Sequence, residues 1–176
     1  MRVDARQNRD RVLAAAREEF AAHGAGASLN KIAQRAGVGP GTLYRHFASV
    51  QDLLVAIIAA DVDTLAATGR DLLAHPDPAD ALRIWLRAVA VHATSMRGLV
   101  ATELLTAGTD SALAACHEQI RETGAALLDR TGNPDHIDVT DLLTVVNGIA
   151  WAHERLPADP ARLDRLLGLL SSKVGR

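Results

Sequence analysis

The chain has 176 residues, 48% of them apolar and 3% aromatic, with 19 Lys/Arg against 21 Asp/Glu and a formal net charge of −2. A core with so few rings must be built from Leu, Ala, Val and Ile, which favours helix over sheet, and the length suits one domain or a small domain beside a larger one. No uncharged run approaches the ~18 residues of a membrane span, the opening MRVDARQNRDR lacks the apolar segment of a signal peptide, and the single Cys116 excludes an internal disulfide, so a cytoplasmic all-α protein without membrane association is expected.

The net charge hides an asymmetry. Residues 1–50 hold eight Lys/Arg (Arg2, Arg6, Arg9, Arg11, Arg17, Lys31, Arg35, Arg45) against four acids, whereas residues 51–176 hold eleven against seventeen. A basic head on an acidic body suits a polyanion-binding module attached to a part that should not bind the polyanion, although a merely uneven surface gives the same count.

In chain order, Leu13, Ala16 and Phe20 share one helical face while Arg11, Arg17, Glu18 and Glu19 take the other sides, and Gly24 and Gly26 end this first helix near His23. Ser28 suits the cap of a short second helix in which Leu29, Ile32, Ala33 and Ala36 keep helical spacing, and Gly37 suits the left-handed position after it. Pro40 fits the first turn of a third, very short helix. There Leu43 and Phe47 face inward, leaving Thr42, Arg45 and His46 outside with Tyr44 at the flank. Ser49 and Asp52 resemble a capping box that starts a long fourth helix through Leu53, Leu54, Ile57, Ile58 and Leu65. Further on, Asp77-Pro78 opens a helix with the stripe Leu82, Trp85, Leu86, Val89, Ala93 and Met96. A short segment at about 98–106 precedes a helix from Asp110 to Arg130, which Gly132-Asn133-Pro134 ends. Asp138 to Arg155 is predicted as another helix, and Asp159-Pro160 starts the last, with Leu163, Leu166, Leu167 and Leu170 on one side.

Two short helices joined by a glycine-containing turn, the second carrying polar side chains outward, form a helix-turn-helix, here Ser28 to Phe47. The second helix of such a pair enters the major groove, about 12 Å wide, while the first crosses the phosphates. The segment ASLNKIAQRAGVGPGTLYRHFASVQDLL resembles the DNA-binding segment of the tetracycline-repressor (TetR) family, with Ala33, Gly37, Val38, Leu43, Tyr44, His46 and Phe47 at the family's spacing over roughly residues 8–60. The resemblance implies a three-helix DNA-binding domain at 1–50, joined by a long helix to a helical effector-binding and dimerisation domain at 51–176. It implies contacts to phosphates or nearby bases from Thr42, Tyr44 and His46, contacts from Ser28, Asn30 and Lys31 at the start of the second helix, and sequence reading near Pro40, Gly41 and Arg45. One departure stands out: where the family commonly carries a phosphate-binding Lys after the third helix, this chain has Val50-Gln51. The arginines of the N-terminus serve either as a compensating basic arm or as a solvated helix end.

Other chemistry has little support. Cys116-His117-Glu118 lacks a second Cys or His at ligand spacing, so no metal site is expected, and no cofactor either. No nucleophile–base pair or phosphate loop is recognisable, and GPGTLY is too short for such a loop and lacks its Lys, which argues against an enzyme. The competing class is a helical regulatory or interaction protein whose helix-turn-helix is structural only.

One helix-turn-helix makes too few contacts for an operator, so a homodimer on a palindromic double-stranded site is expected. The resemblance places the dimer contact on the last two helices. In the 138–155 helix, Leu142, Val146, Ile149 and His153 form one face and Val145, Gly148 and Ala152 another. The second face, with Leu163, Leu167 and Leu170 of the last helix, suits a four-helix interface, unless both faces are buried within one subunit. A small apolar organic effector is expected in a pocket lined by Trp85, Val89, His92, Met96, His117, Asn147 and Trp151, with Gly98 to Gly108 as the lever towards the heads. The competing reading for each histidine is an ordinary buried side chain bonded to a backbone carbonyl.

Overall fold

The computed structural model describes residues 2–100, 110–133 and 135–174, with side chains over 7–24, 26–95, 113–133 and 135–170. Eight α-helices are present among these residues and no strand: α1 (Arg2–His23), α2 (Leu29–Ala36), α3 (Pro40–His46), α4 (Val50–Leu72), α5 (Pro78–Val100), α6 (Asp110–Asp129), α7 (Val139–Arg155) and α8 (Arg162–Val174). The segment Gly98–Gly108, expected to act as a lever, falls almost wholly outside the described residues.

The molecule divides into two compact units. One centres on Met1–Ala60; the other comprises Asp61–Ser95 and Ala114–Arg176, so that α4 carries residues of both. In the first unit Leu13, Ala16 and Phe20 of α1, Ile32 and Ala33 of α2, Leu43 of α3 and Leu53, Leu54 and Ile57 of α4 are all buried. Glu19 departs from the expected pattern. It is buried rather than solvated, and its Oε1 lies 3.2 Å from His23 Nδ1. The capping box at the start of α4 forms as the spacing implies, with Ser49 N–H donating to Asp52 Oδ2 and Asp52 N–H to Ser49 Oγ, both at 3.0 Å.

Helix starts in the second unit follow the same chemistry. Asp77 Oδ1 accepts from Ala79 N–H at 2.9 Å ahead of α5, Asp138 Oδ1 from Thr140 N–H at 2.6 Å ahead of α7, and Asp159 Oδ1 from Ala161 N–H at 3.1 Å ahead of α8. Between α6 and α7 the chain turns through Gly132 at φ 80° and Asn133 at φ 35°. The Asn133 amide then brackets Ile137, accepting from its N–H at 2.9 Å and donating to its carbonyl at 3.0 Å.

At the centre of this unit lies Trp85, with no exposed surface, among Leu82, Leu86, Leu127, Leu142 and Val146. Its indole N–H donates to the Leu65 carbonyl of α4 at 3.1 Å. That oxygen is also the acceptor position for the helical N–H four residues on, at Gly69, so the indole must approach α4 where a side chain at 69 would project. A Cβ at Gly69 would overlap the Thr123 methyl and stand 3.0 Å from Trp85 Nε1; at Gly124 it would stand 2.9 Å from one Trp85 ring carbon and 3.0 Å from Val139 Cγ2. The ring is thus clamped between two glycine backbones. Gly69→Ala and Gly124→Ala are each expected to lower stability by about 1–3 kcal/mol, the usual penalty of overpacking, although alanine is the better helix former. Urea denaturation followed by circular dichroism checks this, and unchanged midpoints would contradict the clamp.

Candidate nucleic-acid interface

The α2–α3 pair is built by its turn. Gly37 adopts φ +67° and ψ 33°, and the chain closes back on α2 through Val38 N–H to the Ala33 carbonyl at 3.0 Å and Gly37 N–H to the Gln34 carbonyl at 3.2 Å, so two carbonyls of the last turn of α2 are satisfied. Ser28 occupies the cap position of α2 with extended backbone, but its hydroxyl makes no capping bond; its carbonyl takes the Ile32 N–H at 3.0 Å. Pro40 opens α3, where its missing N–H leaves nothing unpaired, and Gly39 supplies the carbonyl for Thr42 and Leu43 N–H.

Seven residues make two turns of α3, and one of them is buried. Leu43 is 1% exposed, and Phe47 just beyond the helix is also buried. Pro40, Gly41, Thr42, Tyr44, Arg45 and His46 are all exposed, Tyr44 at 46%. Asn30 and Lys31 are exposed at the start of α2, with Ser28 half-buried beside them. A Cβ at Gly41 would meet nothing within 4 Å, so the helix backbone there is open to close approach from outside. All nine residues expected at a DNA contact thus belong to one unit, eight of them exposed. Arg35, on the same helix as Lys31, donates to Glu18 Oε2 at 2.8 Å and ties α2 to α1, which the spacing of the two residues in the chain does not reveal.

The residues expected around an effector differ in their exposure. Trp85 and Val89 lie in the core of the second unit, His92 is half-buried on α5, His117 and Asn147 are exposed, and Trp151 is exposed on the outside of α7, where the Arg155 guanidinium stacks 4.3 Å from its ring centroid. The Met96 side chain lies outside those described. His117 faces solvent because the inward face of α6 is set by Cys116, Ile120, Leu127 and Leu128. Of the residues expected at a dimer contact, Val145 and Gly148 are exposed and Ala152 half-buried, whereas Leu163 and Leu167 are buried in the protomer and Leu170 packs partly against the same core. No group of three or more His, Cys, Asp or Glu suited to a metal occurs among the described residues. None of their helices is long and apolar enough to cross a membrane.

A short exposed helix held by a glycine turn against a second helix, both on a basic head, defines a helix-turn-helix protein. Family comparison carries this further. Residues 12–57 match the model for bacterial regulatory proteins of the tetR family, and residues 77–172 match that for the C-terminal domain of SbtR-like transcriptional regulators. The crystal structure of a TetR transcriptional regulator from Streptomyces coelicolor is 32% identical, with a TM-score of 0.74, covering 94% of this chain and 97% of that one. A TetR transcription regulatory protein from Mycobacterium vanbaalenii is 30% identical, also at 0.74, covering 98% and 97%. An HTH-type transcriptional regulator of Staphylococcus aureus is 44% identical over 64 residues, 36% of this chain; the match spans 35% of that relative's length. The chain belongs to the TetR family, whose members are non-enzymatic DNA-binding transcription factors that typically dimerise.

Two outcomes follow from these environments. Replacing Gly37 by Ala forces a Cβ into the left-handed region and is expected to destabilise the head by about 1–2 kcal/mol; a thermal melt monitored at 222 nm reads this, and no loss would contradict the strained turn. At His92, burial lowers the imidazole pKa from its ordinary 6.5 more than the nearby Asp61 charge raises it. The folded chain therefore binds this proton less readily than the unfolded chain. Its stability is full above pH 6.5 and falls as the pH drops through the depressed folded value. Urea titrations from pH 7.5 to 5 should show a smaller acid loss in His92→Gln than in the wild type, and equal losses would assign the effect elsewhere.

Proposed function

We propose that this chain is a transcriptional repressor that binds a palindromic DNA operator as a homodimer and is released by a small apolar organic effector. The observation that carries the DNA-reading half is α3, which buries Leu43 and leaves its other six residues exposed. Residues 1–50 form the DNA-binding domain, completed by the first turns of α4, and residues 51–176 form the effector and dimerisation domain. In this reading α3 lies in the major groove with its N-terminal residues on base edges. Gly41 admits close backbone approach, Arg45 reads base edges, and Thr42, Tyr44 and His46 engage phosphates or adjacent bases. Ser28, Asn30 and Lys31 hold α2 across the backbone. Tyr44 combines a ring body with a hydroxyl tip, which suits contact with sugar and phosphate together. A purely structural helix-turn-helix would leave this exposed polar face without a role.

The effector half rests on His92. His92 joins partial burial to a lowered pKa, so at neutral pH it offers an uncharged imidazole that both donates and accepts a hydrogen bond. That chemistry suits a weakly polar organic molecule better than a carboxylate. An effector releases DNA only by the difference in its affinity for the two arrangements of the heads, and α4, whose residues belong to both units, is the covalent link available for that coupling.

The full chain should select a two-fold symmetric site from random-sequence duplexes. On the selected duplex, Tyr44→Ala and His46→Ala are each expected to weaken binding by about tenfold or more, as loss of a base or phosphate contact worth ~1–3 kcal/mol requires, with helicity and assembly unchanged. Gel-shift titration in fixed salt reads the loss. Retained affinity in both variants would overturn the assignment of α3 as the reading helix.

A further inference from the structure

The turn between α2 and α3 has a neighbour that chain order does not suggest. Arg11 is exposed on α1 just before the buried Val12, and its Nη1 stands 3.8 Å from the position a Cβ at Gly37 would take. Gly37 is exposed and has no side chain, so at this point the turn offers bare backbone to the guanidinium. Arg11 Nη2 donates to Asn8 Oδ1, three residues earlier on the same helix. An amide is neutral, so this bond orients the guanidinium without offsetting its charge, and it uses one of five N–H donors. Arg35 differs, since its guanidinium is paired with the Glu18 carboxylate.

The turn marks a particular place on DNA. With α2 across the phosphates and α3 in the groove, the chain passes from backbone to groove at residues 37–39. A cation beside that passage stands at the rim of the groove, where the phosphates run. A guanidinium suits this place, because its planar fork pairs with two phosphate oxygens at once. The basic N-terminus thus holds one arginine with a fixed post, set by Asn8 on one side and the glycine turn on the other.

Resting on α3 as the reading helix, we propose that Arg11 grips a backbone phosphate at the groove rim, with Asn8 positioning it and the bare Gly37 turn making room for it. The contact adds affinity without reading sequence. Anisotropy titrations of the full chain on its selected duplex and on a random-sequence duplex, between about 50 and 200 mM salt, test this. Arg11→Gln should lower the slope of log affinity against log salt by about 0.9 for each bound copy and weaken both duplexes alike, while Arg11→Lys keeps most of the slope. Arg9→Gln removes the same charge from a point about 200° round α1 and should change the slope less than half as much. Asn8→Asp keeps the guanidinium but sets a carboxylate against it, so it should lower the slope as Arg11→Gln does, with no further fall when the two are combined. That variant decides the matter if Arg11→Gln loses helicity. An unchanged slope in a folded Arg11→Gln or Asn8→Asp variant overturns the phosphate contact and leaves α3 standing as the reading helix. Equal falls in Arg11→Gln and Arg9→Gln, or falls that add in the combined variant, assign the effect to net charge and overturn it too. A wild type that binds neither duplex overturns both readings.

Discussion

A helix of seven residues does not hold itself together in water, because nucleation costs more than so few hydrogen bonds return. The part of α3 that meets solvent is therefore ordered from outside. Three devices do this: Leu43 sunk into the core of the first unit, Phe47 closing the end, and the left-handed Gly37 that sets the angle from α2. Pro40 contributes by fixing φ in the first turn, which removes freedom the unfolded chain would otherwise keep. The rest of the first unit supports this arrangement. Ile32 and Ala33 provide the floor under the turn, and the Arg35–Glu18 pair spans α2 and α1 across the surface. Being exposed, that pair adds little to stability and serves mainly to orient the two helices.

The second unit solves a different problem, how to bury a large ring in a protein made largely of Leu, Val and Ala. Trp85 fills the centre because Gly69 and Gly124 bring α4 and α6 close to opposite ends of its ring, and its N–H finds the Leu65 carbonyl. A buried indole left without an acceptor would carry a desolvation penalty, so ring, carbonyl and glycines form one mutually dependent set. The inner faces of α7 and α8 are committed to this core through Val146, Ala150, Leu163 and Leu167, which leaves Val145, Trp151 and Leu169 exposed on their other faces.

Local signals wrote most of the helix layout into the sequence. Acidic caps at Asp77, Asp138 and Asp159, the Ser49/Asp52 box and the Gly37 and Gly132 turns act within a few residues, so they can be read without knowing what the helix packs against. The exposed face of α3 was legible for the same reason, since one inward leucine among polar neighbours fixes the outward set. Legibility failed where the answer depended on a distant partner. The clamp on Trp85 joins residues of three helices and leaves no trace in periodicity. Glu19 was expected among solvent-facing charges, because its burial depends on what lies over α1 rather than on its own neighbours. Trp151 is expected to line an effector pocket, and it stands exposed three residues after Gly148 and four before Arg155.

The central claim is that α3 of each copy sits in a major groove and that two copies act together. Methylation protection of guanine N7 on a duplex selected by the full chain tests it most directly, since that atom lies on the major-groove edge. The account predicts two protected patches related by two-fold symmetry and about one helical turn, or a multiple of it, apart. Unprotected major-groove guanines on a duplex that the protein still binds, or a single patch without a symmetric mate, would contradict it.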